Sequence, residues 1–153
     1  MKNYKEFISE NVTTTKCTVI ILQVEEFRHF MISDFYGGKI KELYDLYTKK
    51  LKEVEQKYDF VLPPDNVGFC TEFALVGNCI ETAETLSKDL YDFFKSFEPS
   101  LTINIVLGYG EIHLTNRIQT STGEVLIRVG RRLDKKRNDG IEISPSFQSQ
   151  KEV

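Results

Sequence analysis

Arg128 and Arg132 stand four residues apart near the C-terminus, inside Ile127-Arg-Val-Gly-Arg-Arg-Leu133. On a helix that spacing puts both guanidinium groups on one face, where their planar donor forks can grip a phosphate. The competing reading is a solvated basic face, in which Arg131, Arg132, Lys135, Lys136 and Arg137 balance Asp134 and nearby acids. That is the default for exposed charges, because surface ion pairs carry little energy. Other chemistries find less to work with. His29 and His113 are the only histidines, and no Glu-x-x-His or Cys-x-x-Cys pattern accompanies them, which argues against zinc. Gly108-Tyr-Gly110 lacks the third glycine and the helix start of a dinucleotide fingerprint, so it reads as a bend where chains pack closely. Neither a Gly-x-Ser-x-Gly elbow nor a Walker-type loop is present, which removes serine hydrolases and P-loop ATPases.

The chain as a whole sets further bounds. At 153 residues it fits a single domain, expected over 1–153 with flexible ends at 1–15 and 148–153. With 41% hydrophobic and 28% charged residues it can bury an ordinary core. A formal net charge of −3 leaves no electrostatic footprint for nucleic acid or an anionic membrane, so neither is expected as a partner. Cys17, Cys70 and Cys79 are odd in number and lie in or beside apolar runs, as reduced thiols of a cytoplasmic protein do. The longest apolar run, Cys17 to Leu22, is too short to span a bilayer, and the N-terminus lacks the apolar segment of a signal peptide.

These candidate residues need elements to position them. Cys17 to Val24 is a β-branched run, as in a central strand buried on both faces. A polar turn follows around Ser33-Asp34. Apolar residues at Ile40, Leu43, Tyr44, Tyr47, Leu51, Val54 and Tyr58 then track one helical face, with a stripe broad enough to exceed one sheet face. Phe60 to Ala74 reads as two strands, with the turn drawn to its Pro and Asp/Asn residues. A second helix runs from Ile80 to Phe97, stopped by Pro99. Leu101 to Leu107 is an inner strand, Glu111 to Leu114 a further one, and Thr115 to Thr122 a loop. Val125 to Lys136 predicts a short helix, Asn138-Asp-Gly140 a turn, Ile141 to Ile143 a last strand, and the residues beyond a frayed tail. The order gives an α+β fold: a ferredoxin-like βαββαβ palm domain with an extra C-terminal strand, helix and strand.

Three segments carry a resemblance. Asn104-Ile-Val-Leu-Gly-Tyr-Gly-Glu-Ile112, Val129-Gly-Arg-Arg-Leu133 and Gly140-Ile-Glu-Ile-Ser144 occur in the order of the C-terminal half of a class III nucleotide cyclase domain. The similarity covers about Cys17 to Phe147 and extends more distantly to diguanylate cyclases and the palm polymerases of CRISPR effector complexes. In the cyclase family the first strand ends in a pattern like D-I-x-G-F, whose Asp binds metal; Gln23-Val-Glu-Glu-Phe27 matches it and puts Gln23 at that Asp. The family's hairpin reads K-x-x-G-D-G-F-x-x-x-F. Aligning Gly68-Phe69 and Phe73 puts Val67 at the second metal Asp and Pro63 at the base-recognising Lys. A late V-N-x-A-x-R-L pattern is similar to Ile127–Leu133, which keeps Arg132 and replaces the ribose-orienting Asn by Arg128.

The resemblance implies two divalent ions, one lowering the pKa of a ribose hydroxyl and one neutralising the pyrophosphate leaving group. Gln is a poor substitute for a carboxylate on Mg²⁺, and Val offers no ligand. The main expectation is therefore a degenerate, non-catalytic cyclase-like domain without cofactor. It would bind a nucleotide or cyclic nucleotide, with Arg128 and Arg132 on the phosphates, or regulate by pairing as a homodimer or as a heterodimer with a cyclase-like domain. An alternative is an active nucleotidyl cyclase or cyclic-oligonucleotide synthase with a displaced Mg²⁺ or Mn²⁺ site on Glu25 and Asp65. A third reading is a protein-interaction module whose cleft is filled by side chains such as Phe69.

Overall fold

A run of β-branched residues forms an extended chain with two apolar faces, and it needs cover on both. In the computed structural model, which describes residues 13–25, 39–115, 123–136 and 138–143, this run is β1 (Thr13–Val24). Ile20, Leu22 and Val24 pack on one side and Cys17, Val19 and Ile21 on the other, all buried. The remaining elements are α1 (Lys39–Lys57), β2 (Phe60–Val67), β3 (Cys70–Val76), α2 (Ile80–Phe97), β4 (Ile103–Leu114), α3 (Glu124–Lys136) and β5 (Gly140–Ile143).

The five strands order as β2-β3-β1-β4-β5. Every neighbouring pair is antiparallel except β4 and β5, which run parallel. The first four follow the ferredoxin-like plan expected from the element order, and α3 with β5 extends it. On one face α1 and α2 lay down Leu43, Tyr47, Leu51 and Val54, and Ala83, Leu86, Leu90 and Phe94. On the other, α3 buries Val125, Val129 and Leu133, spaced four apart as a single helical stripe. This second layer explains why β1 carries no polar face.

Four local expectations need correction. The hairpin turns at Gly68-Phe69 instead of the Pro-Asp-Asn segment. Both residues have left-handed φ, 58° and 60°, as a two-residue type I′ connection needs. Pro63 and Pro64 lie inside β2, where missing N–H groups are tolerated because β2 is an edge strand with register shifts between Phe60 and Leu62 and between Leu62 and Asp65. Gly108 and Gly110 do not bend the chain. The expected strand Glu111 to Leu114 continues β4 without a break, paired to β1 along its full length. Gly110 does mark close packing, since a Cβ there would come within 3.1 Å of Val125 Cβ. Phe69 is 2% exposed and sits in the core with Tyr47 and Phe94, on the helix-covered face, so it fills no cleft. Tyr44, expected in the apolar stripe of α1, remains half-exposed.

At the end of the sheet where β1 finishes, Asp139 ties β5 to the rest. It accepts a hydrogen bond from the Ile103 N–H at 2.8 Å, pairs with Lys95 at 2.9 Å and accepts from the Tyr91 hydroxyl. The expected turn at Ser33-Asp34, His29, and the tail beyond Ile143 lie outside the described residues, as does the loop from Asn116. Of the ends at 1–15 and 148–153, Thr13 to Thr15 belong to β1 and the rest lies outside the described residues.

Candidate functional site

Register decides which side chains can meet. Gln23 pairs with Cys70 on β3, and Cys70 pairs with Val67 on β2. Directly opposed residues share a sheet face, so Val67, Cys70 and Gln23 form one row, continued by Asn104 on β4. The row lies on the α3 side of the sheet, because Cys70 packs against the cluster that includes Val129 and Leu133. The two positions that the cyclase resemblance gives to metal aspartates thus stand on one face, roughly 10 Å apart across two strand spacings. Val67, at the hairpin corner, is 57% exposed.

The donor set of this row does not fit a hard divalent cation. Gln23 offers an amide and Val67 nothing. Burial, followed by the charges of Glu72, Asp134 and Glu25, pushes the Cys70 thiol up to about 11, so it stays protonated at neutral pH. Glu25 lies just past β1, and its Oε1 accepts from the buried Asn104 amide at 3.0 Å. The same amide group donates to the Leu133 carbonyl at 2.9 Å, so Asn104 fastens Glu25 to the end of α3.

Glu25 and Asp65 are not brought together. Asp65 pairs with Glu72, which stands opposite Ile21, four residues back along β1 from Glu25. With two strand spacings added, the separation is roughly 15 Å, far beyond what one ion at about 2.1 Å from its ligands can bridge. Asp65 instead faces Glu72 across β2 and β3. The Glu72 carboxyl is pushed up by burial first and by Asp65 second. Among the described residues no three His, Cys, Asp or Glu side chains assemble in a way that could hold a metal.

Arg128 and Arg132 do share a helical face of α3, the helix over β4 and β1. Arg128 pairs with Glu124, and Arg132 donates through Nε to Glu142 of β5 at 2.8 Å. Their counterions are therefore Glu124 and Glu142. Both arginines belong to α3, the helix that covers the face carrying the Val67 row, and each is held by a carboxylate other than the row's own residues. His113 pairs with the Thr14 hydroxyl at 2.8 Å. Sequence reading missed Asn104 and Cys70. The available signal for Asn104 was its position as a lone amide within an apolar strand.

No family model matches the sequence, and no curated protein sequence matches it. Solved structures do. The adenylyl cyclase CyaB from P. aeruginosa aligns over 93% of this chain and 83% of its own, with a TM-score of 0.67 and 15% identity. A class III adenylyl cyclase-like ATP-binding protein from Pseudomonas aeruginosa aligns over 90% of this chain with a TM-score of 0.62 and 11% identity. This chain spans 35% of that second protein. The chain therefore has the fold of class III adenylyl cyclases. Among the described residues, no helix is long and apolar enough to cross a membrane.

Proposed function

We propose that this chain is a degenerate cyclase-like domain of the cytoplasm that serves as a nucleotide-binding or regulatory module and works as a pair, with a second copy or with another cyclase-like domain. The observation that supports this reading is the row of Val67, Cys70 and Gln23: the two positions that the resemblance gives to metal aspartates share one sheet face and carry no anionic ligand. Without such ligands the developing charge on a leaving pyrophosphate lacks several kcal/mol of stabilisation, and about 1.4 kcal/mol is a factor of ten in rate. Pairing rests on the resemblance to cyclase domains, which work as pairs. Arg128 and Arg132 lie one turn apart on α3, held by Glu124 and Glu142, and would take the phosphates once a nucleotide displaces those carboxylates.

The test is incubation with each nucleoside triphosphate and Mg²⁺ or Mn²⁺, with readouts for cyclic product, pyrophosphate and melting temperature. We expect no turnover, a two-chain mass in sedimentation, and a melting temperature raised by at least one nucleotide and lowered again by Arg128→Ala with Arg132→Ala. Turnover abolished by Glu25→Ala or Asp65→Ala would overturn the degenerate reading in favour of a displaced active site. The absence of any nucleotide-induced shift would point to a pure interaction module.

A further inference from the structure

On the face of the sheet away from the Val67 row, α1 and the irregular edge strand β2 enclose an open groove of about 260 Å³. The groove ends on a chain of hydrogen bonds that begins in the core. The Tyr47 hydroxyl lies 2.6 Å from Thr71 Oγ1, both residues being fully buried, and Thr71 Oγ1 donates to Asn66 Oδ1 at 2.9 Å. A proton count gives the direction. Thr71 has one hydroxyl proton and gives it to Asn66, so the Tyr47 phenol donates to Thr71. The reverse order would leave the phenol proton without an acceptor in the core, at the cost of an unmade buried hydrogen bond. The carbonyl end of Asn66 is therefore held inward and its NH₂ end is turned to the groove that Asn66 lines.

We propose that this groove binds a small, uncharged planar heterocycle that presents a hydrogen-bond acceptor beside an N–H donor. The fixed Asn66 NH₂ group supplies a donor for a ring carbonyl or ring nitrogen. Glu55, in the same groove, supplies an acceptor for the neighbouring N–H. Lys52 lines the groove as well, so the two opposite charges leave no net preference for an anion or a cation. Leu51 and Pro64 provide apolar floor. The Tyr44 ring, 49% exposed, is braced edge-on against Phe69 with centroids 6.1 Å apart and offers a stacking face. The volume admits one ring system of nucleobase or nicotinamide size. The site lies across the sheet from the row discussed under the proposed function and does not depend on that reading.

The test uses uracil, hypoxanthine and nicotinamide as separate probes on the full chain, with 1,3-dimethyluracil as the arm that keeps acceptors and loses the N–H donors. The readout is the set of backbone amide resonances of Thr48, Lys52 and Glu55, which line the groove, in a nitrogen–proton correlation spectrum. At least one probe is expected to shift them saturably, with affinity lowered tenfold or more by Tyr44→Ala and by Asn66→Ala and unchanged by Arg132→Ala. Tyr44→Ala removes a half-exposed ring, so it remains informative even if Asn66→Ala fails to fold. No saturable shift with any of the three probes at millimolar concentration, or equal binding by wild type and Tyr44→Ala, overturns the proposal.

Discussion

The side-chain amide of Asn104 donates to Glu25 at 3.0 Å from a position with no solvent exposure, and in doing so it links the end of β1 to the last turn of α3. Replacing Asn104 by Ala leaves the Leu133 carbonyl without this donor and opens space beneath α3. Stability should fall by about 2 to 3 kcal/mol in a urea titration. Glu25→Gln keeps an oxygen acceptor on the half-exposed side and should cost less than about 1 kcal/mol. Equal losses from the two variants would show that the amide does not act as the link.

A second outcome concerns the alignment itself. The double variant Gln23→Asp with Val67→Asp should acquire Mn²⁺ binding, visible as broadening of the Mn²⁺ resonance in electron paramagnetic spectra. Wild type and both single variants should show none. Tight Mn²⁺ binding by the wild type would contradict the claim that the row is unsuited to a cation.

Acid should loosen β5. Burial alone would raise the Asp139 carboxyl, but hydrogen bonds from the Ile103 N–H, Tyr91 and Lys95 outweigh it and hold the group below its ordinary value of 3.8. A depressed folded-state pKa means that the stabilisation is present above the unfolded value and is lost as pH falls through the folded one. Asp139→Asn should therefore be less stable than wild type at pH 7, by about 1 kcal/mol. The gap should close as pH drops below about 4 toward 2. A gap independent of pH would mean that the carboxylate charge is irrelevant to the latch.

Thiol chemistry gives an independent check of the second layer. Burial, with the charge of Cys79 as a smaller cause, pushes the Cys17 thiol up to about 11, the same value that Cys70 reaches. A raised pKa leaves less thiolate at any given pH, so alkylation of both by iodoacetamide at pH 8 should run about a hundredfold slower than that of an ordinary thiol. The rate should climb about tenfold per pH unit up to pH 11. Rapid modification of Cys70 at pH 8 in the folded protein would sink this assignment.

Gly123, at the start of α3, has φ of 146°, and a Cβ there would lie 2.7 Å from the Glu111 carbonyl oxygen and 2.9 Å from Ile112 Cα. Gly123→Ala should cost more than about 2 kcal/mol, because both the backbone conformation and the contact with β4 resist a side chain. Gly130→Ala, which meets nothing within 4 Å, should be neutral or mildly stabilising.

The helices and the inner strands were legible because their apolar periods are long and uninterrupted. Leu43, Tyr47, Leu51 and Val54 alone define α1, and Cys17 to Val24 can only be a strand covered on two sides. The hairpin turn was misread because Pro and Asp/Asn are strong turn signals locally, whereas pairing Val67 with Cys70 leaves only Gly68 and Phe69 for the turn. Phe69 gave no warning, since a non-glycine residue at φ of 60° is held by its core contacts and carries no composition signature. The unbroken β4 was hidden for a similar reason. Gly108 and Gly110 are strand breakers in isolation and are carried here by pairing to β1 along its whole length. As for the site, the resemblance named Gln23 and Val67 from sequence, and strand register puts them on one face. The separation of Glu25 from Asp65 is a matter of strand order that no local pattern encodes.

Phe69 turns inward beside Val67, which points out at the same corner. Each residue answers to a different constraint, one to the packing of the interior and the other to whatever the cleft encounters. An outward side chain at such a corner can be exchanged in a lineage without disturbing the loop that carries it. That independence lets the outward residue of the corner change while the fold around it stays the same.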